Sequence, residues 1–128
     1  MAQIKIYGLK SALAGRQTEI SNAIHCAVVE TLALPREKRF HRFLSLENDE
    51  FFFPADRSER YLIIEISMFE GRAIETKKRL IRALFAELEA IGFASQDVEI
   101  TISETPRCNW GIRGQIGDEL GLSYTVEV

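Results

Sequence analysis

The sequence predicts an α+β fold: two tandem β-α-β units forming one four-stranded sheet with two helices on one face, plus a C-terminal extension. Three observations lead there. Residues 61–67 and 97–102 are apolar strand-like runs on either side of an amphipathic helical stretch. The same order of strand, helix and strand occurs earlier in the chain. Gly-Arg-x-x-Glu stands ahead of the helix both times, as Gly15-Arg16-Gln-Thr-Glu19 and as Gly71-Arg72-Ala-Ile-Glu75. Glycine turning, arginine solvated and glutamate favoured in a helix's first turn explain each residue singly. They do not explain the pairing of all three in both halves. The repeat divides a single domain, 1–128, into units of about 1–47 and 60–104 with a tail over 105–128.

In chain order, Ile4-Lys-Ile-Tyr-Gly8 alternates as a short strand. Residues 10–14 are a connection. Over 17–31 a helix is expected, with Ile20, Ile24, Ala27, Val28 and Thr31 on one face. Leu34-Pro35 ends it, since proline disfavours helix at the residue before it. A charged turn, Arg36 to Arg39, leads to a strand over 41–46, with Phe43 and His41 on one side and Leu44 and Leu46 on the other. The segment 47–60 connects the units. Its Phe51-Phe52-Phe53 reads as an edge strand or a lid packed on a neighbour, or else as the apolar wall of a ligand pocket. Residues 61–67 are β-branched and aliphatic, which suits a largely buried strand. In the second helix Leu80, Ile81, Leu84, Leu88 and Ile91 share a face, and Gly92 ends it. Each pair of strands joined through a helix should be parallel, with a right-handed crossover. Beyond residue 104 a proline and several glycines mark an irregular segment around Trp110, and 122–128 alternates as a terminal strand that needs an edge to pair with.

Among the 128 residues 46% are hydrophobic and 27% charged, the balance of a globular domain, and the net charge of −3 gives no support to a nucleic-acid partner. No apolar run is long enough to span a membrane, and the first residues lack the apolar core of a signal peptide, so a cytoplasmic protein is expected. Cys26 and Cys108 are too few for a disulfide scaffold. His25, Cys26 and His41 have no metal-ligand spacing, so no metal and no cofactor are expected. Helices on one face leave the other face of the sheet uncovered, with apolar residues from strands such as 61–67 on it. That predicts burial against further copies of the chain.

The repeated strand, Gly-Arg, helix and strand unit resembles that of the tautomerase superfamily, the 4-oxalocrotonate tautomerase and macrophage migration inhibitory factor fold. Asn109-Trp110-Gly-Ile-Arg-Gly114 is similar to the aromatic-plus-glycine turn that follows the second strand there. Two fused units with a tail are most similar to the malonate semialdehyde decarboxylase-like branch. The resemblance implies a homotrimer with sites near the subunit interfaces. It also implies isomerisation of a small keto or enol carboxylic acid by proton transfer from an N-terminal amine. In the family that amine belongs to a proline exposed when the initiator methionine is removed, and here Ala2 stands in its place. Arg72 corresponds to the arginine that holds the substrate carboxylate, a role suited to a planar two-pronged donor. Arg113, Trp110 and Phe53 complete the expected substrate-binding set. Glu70 and Lys38 stand where the decarboxylase branch has an arginine and an acid, which points away from decarboxylation. The other reading of Ala2 is a non-catalytic trimer retaining at most a small-anion pocket.

Overall fold

Four strands alternate between apolar and polar side chains, and the alternation decides which face of the sheet the helices cover. The computed structural model describes residues 2–128; Met1, on which the question of a retained or removed initiator turns, lies outside the described residues. β1 (Ala2–Leu9) pairs in parallel with β2 (His41–Leu46) and antiparallel with β3 (Leu62–Phe69). β3 pairs in parallel with β4 (Val98–Thr105), giving the order β2-β1-β3-β4. Each parallel pair is closed by a helix, α2 (Gln17–Leu32) in the first half and α3 (Ile74–Ala90) in the second. Residues 10–14, expected as a plain connection, contain one helical turn, α1 (Lys10–Leu13).

Even-numbered positions of β1, β3 and β4 form the core. Ile4, Ile6, Leu62, Ile64, Ile66, Met68 and Val98 lie under Ile20, Ile24 and Val28 of α2 and Leu80, Leu84 and Leu88 of α3. Each such aliphatic side chain contributes about 1.5–3 kcal/mol when fully buried. Gly92, at φ 97°, turns the chain out of α3 and lets Phe93 drop into the same core.

Odd-numbered positions of β1, β3 and β4 and even-numbered positions of β2 face away from the helices, and here one expectation is corrected. The face carries Gln3, Lys5 and Tyr7 from β1, Arg42, Leu44 and Leu46 from β2, Ile63, Glu65 and Ser67 from β3, and Glu99, Thr101 and Ser103 from β4. It is mixed and largely polar rather than apolar. The apolar run in β3 is broken on this side by Glu65 and Ser67, so the strand is buried on one face only. Lys5 lies opposite Glu65 across the β1–β3 pair. A hydrogen bond to Glu65 raises the Tyr7 pKa.

The tail is the second correction. Residues 122–128 form no strand. Their alternation survives without a ladder: Tyr124 packs against the core and Val126 is buried, while Thr125 and Glu127 point outward. The segment folds back over its own chain, where the main-chain oxygen of Val128 accepts from Ala73 N–H at 3.0 Å and from the Thr76 hydroxyl at 2.8 Å. Ahead of the tail, β5 (Gly111–Ile112) and β6 (Gln115–Ile116) pair around Arg113-Gly114, both with positive φ (50° and 80°). A two-residue hairpin loop of that handedness matches strand twist.

Phe51, Phe52 and Phe53 are not a strand either. Phe51 and Phe53 pack on each other and on Tyr61, with ring centroids 5.0–5.5 Å apart. Phe52 remains 85% exposed.

Candidate functional site

The register of the central strands brings four segments to one end of the sheet. Ala2 lies opposite Met68, so the start of β1 meets the end of β3, where the chain turns through Phe69-Glu70-Gly71-Arg72 into α3. The end of β4 is at the same place, tied by Glu70 N–H to the Thr105 carbonyl at 3.0 Å. Gly71, at φ 129°, makes the turn that sends the next side chain inward.

Arg72 is only 5% exposed. Its Nη1 donates to the Phe69 carbonyl at 3.1 Å. Nε and Nη2 are buried and have no hydrogen-bond partner among the described residues. Burial lowers the pKa of the guanidinium below its ordinary value, against the opposite pull of Tyr124, Glu104 and Glu127. Arginine still carries its charge at neutral pH. Glu104 does not relieve it by a bond: that carboxylate accepts from Lys77 Nζ at 2.6 Å.

The repeat partner behaves differently. Arg16 donates to Glu19 and to the Ile91 carbonyl, and its guanidinium lies over the Phe93 ring, 4.6 Å from the centroid. It ties the start of α2 to the end of α3. The two arginines share a motif, but Arg16 is occupied where Arg72 is not.

Trp110 braces the wall. Its Nε1–H donates to Thr105 Oγ1 at 2.7 Å, and its ring meets Phe69 edge-on at 5.2 Å. Arg107 stacks on the same phenylalanine and donates to the carbonyls of Gly117 and Leu120 at 2.9 and 2.7 Å. Gly117 is required there, because a Cβ would come within 2.3 Å of the Arg107 carbonyl oxygen. Behind this brace is a cavity of about 200 Å³ lined by Lys38, Arg113, Leu120, Gly121, Leu122, Ser123 and Tyr124. Tyr124, on the cavity wall, also acts electrostatically on Arg72, which does not itself line the cavity. A volume below the 300–1,000 Å³ of drug-sized sites is in scale for a small acid.

Arg113 lines the cavity with Tyr124, while Ala2, Arg72 and Trp110 are gathered at one end of the sheet. Phe53 is not: it packs on Tyr61, which precedes Leu62, and Leu62 lies opposite Gly8 at the far end of the sheet. Ala2 itself is buried at the first position of β1. In the sequence Lys38 stands out only as the residue where the decarboxylase branch has an acid, and nothing marks Tyr124, because they reach the cavity from a turn and from the tail. A second hollow, lined by Gln3, Arg39, Phe40, His41 and Arg42, opens where β2 begins. Cys26, Glu30 and Glu87 bring metal-ligating atoms within 4.8 Å of one another on α2 and α3, a grouping that spacing along the chain did not show because Glu87 comes from the other helix.

His41 shares a 2.8 Å hydrogen bond with the Ser21 hydroxyl, and burial, then His25 and Arg39, lower its pKa to about 4. A histidine in the unfolded chain titrates near 6.5, so below that value the unfolded state binds more protons. The stabilisation is fully present above pH 6.5 and is lost as pH falls towards 4. Discounted for partial exposure, it is on the order of 1–2 kcal/mol. Urea unfolding at pH 7.5 and pH 5 is expected to show lower stability at pH 5, and His41→Gln should remove most of that difference. An unchanged pH dependence in His41→Gln would assign it to other groups.

A family model described as "Tautomerase enzyme" matches residues 38–113, more than half of the chain. The protein belongs to the tautomerase family. It is 43% identical over 58 residues to a 2-hydroxymuconate tautomerase of Comamonas testosteroni, covering 44% of this chain and 92% of that one. A malonate semialdehyde decarboxylase crystallised with 3-bromopropiolate is 32% identical with a TM-score of 0.78, covering 85% of this chain and 87% of the other. A fused 4-OT in an asymmetric trimer shares the fold at a TM-score of 0.80 and 20% identity, over 94% of this chain and 99% of that one. The tautomerase fold thus accounts for the mixed four-stranded sheet and its two main helices. Among the described residues no helix is long and apolar enough to cross a membrane.

Proposed function

We propose that this tautomerase-family protein isomerises a small keto or enol carboxylic acid, with Arg72 holding the carboxylate and the amine of Ala2 carrying the proton once Met1 is removed. The observation that supports this most is the buried guanidinium with two nitrogens unpaired. A buried donor left unmade costs about 1–3 kcal/mol, more when charged. A carboxylate offers two oxygens in the plane that Nε and Nη2 demand. Arg113 and Lys38 beside the cavity add positive field that draws an acid in. Trp110 fixes the wall, and Phe53 would reach such a site only from a neighbouring copy.

The reaction needs no net change of protons: the enol hydroxyl loses one, and the carbon next to the one that bears it gains one as the C=C bond becomes C=O. An α-amino group titrates near 7.7–8.0, and cations about it lower that value, so a fraction is free base at neutral pH. Ala2 in place of proline favours a second reading, a non-catalytic member that keeps only the anion pocket. Mass determination of the native N-terminus, together with rates on phenylpyruvate-type and 2-hydroxymuconate-type enols, separates the two. A free Ala2 amine and Arg72-dependent turnover support the first; a free amine without turnover supports the second.

The same proposal includes a homotrimer. Its supports are the trimeric fused 4-OT relative and the uncovered sheet face. Because that face carries Lys5, Arg42, Glu65 and Glu99, the assembly should depend on salt and paired charge as well as on Ile63, Leu44 and Leu46. Sedimentation equilibrium at micromolar concentration is expected to give a trimer, and a stable monomer would refute it.

A further inference from the structure

We propose that residues 120–128 are a strap that occupies the carboxylate site and has to lift before a ligand can enter. This rests on Arg72 being that site. The strap ends on the first turn of the 17-residue α3, whose N-cap residue Ala73 makes no side-chain capping bond. There the main-chain oxygen of Val128 accepts from Ala73 N–H and the Thr76 hydroxyl, at 3.0 and 2.8 Å. A helix N-terminus favours negative charge, and these two donors are ones that an anion would otherwise use. Val126, 4% exposed, seals the turn: its Cγ1 comes within 3.1 Å of where a Cβ on Gly71 would be. Tyr124 and residues 120–123 form the cavity wall.

Beneath this cover lies Arg72, 5% exposed, with Nε and Nη2 unpaired. It lines neither the cavity beside Tyr124 nor the hollow at β2. No carboxylate can reach both nitrogens while the strap is seated. With the strap lifted, Ala73 N–H, the Thr76 hydroxyl and the two free guanidinium nitrogens open together as one set of donors. Few bonds have to break for the strap to lift: it belongs to no sheet ladder, and its own Val128 N–H to Val126 carbonyl bond, 3.0 Å, is local. Ligand and strap compete for one place, so apparent affinity is reduced by the fraction of molecules in which the strap is open.

Pyruvate, as a small keto acid, is the probe. Val126→Ser and a chain ending at Gly121 should each bind it more tightly and associate faster, by about tenfold if the strap is seated in nine molecules of ten. In the unmodified protein, saturating pyruvate should speed hydrogen exchange of the Val126 and Val128 amides. Unchanged affinity and association rate in Val126→Ser, or slower strap exchange with pyruvate bound, would overturn the strap. Should the shortened chain fail to fold, Val126→Ser and the exchange measurement still decide. Arg72→Ala separates the two layers: it should weaken binding roughly ten- to a hundred-fold in every background. Undiminished pyruvate binding by Arg72→Ala would instead overturn the assignment of the site itself.

Discussion

Ala2→Pro, with removal of Met1 confirmed by mass, is expected to raise enol–keto tautomerisation by about 10²–10⁴-fold, the usual contribution of a positioned general base. The gain should come from geometry more than from basicity. Proline fixes φ near −65° and stiffens the terminus. It is also tolerated at the first residue of a strand, which is where Ala2 lies. The amine would then be held where β1 meets the end of β3, on the side of the sheet's end that carries Arg72. The gained rate should vanish in Ala2→Pro/Arg72→Ala. A variant that is correctly processed, folded and still inactive would favour the non-catalytic reading. Strong activity in the unmodified protein that survives blocking of its N-terminus would place the base elsewhere, with His41 and Glu104 the first to examine.

Arg72→Ala is expected to weaken binding of a small carboxylate roughly ten- to a hundred-fold, the loss of about 1.5–3 kcal/mol of charge-assisted hydrogen bonding. Arg82→Ala, on the exposed side of α3, should not. Equal losses in both would point to general electrostatics. Stability should move the other way. A buried cation with two unpaired nitrogens is a liability to the ligand-free fold, and an apolar replacement of similar length is often neutral or stabilising. Arg72→Met should therefore unfold at the same or a higher temperature while losing the ligand. The same substitution at Arg16 should be destabilising, because there the guanidinium bonds Glu19 and the Ile91 carbonyl through Nη2 and lies over the Phe93 ring.

That contrast shows what the sequence could carry. Gly15-Arg16 and Gly71-Arg72 read alike because the local demand, a glycine turn into a helix, is the same in both units. Their difference lies in what arrives from elsewhere, the loop at Ile91–Phe93 in one case and the tail in the other. Local periodicity placed all four strands and both main helices, with the bounds of His41–Leu46 matched and those of β1, β3 and β4 two or three residues short at one end. It failed where alternation had no partner strand: 122–128 keeps an inward and outward pattern yet packs on α3's first turn instead of an edge. It also overstated the apolar character of the open sheet face, because the Ile63-Ile64 pair conceals that only one of the two lies on that side. Of the cavity, Arg113 could be singled out from its turn, whereas Lys38 and Tyr124 join it only through the fold.

The most direct measurement is ¹⁵N NMR of the Arg72 side chain, assigned with Arg72→Met, during titration with pyruvate. If the two buried nitrogens hold the carboxylate, the Arg72 Nε–H resonance should shift saturably, with the same dissociation constant that calorimetry gives, and the Arg16 resonance should stay in place. Saturable binding of pyruvate with the Arg72 resonance unmoved would contradict the account at its centre.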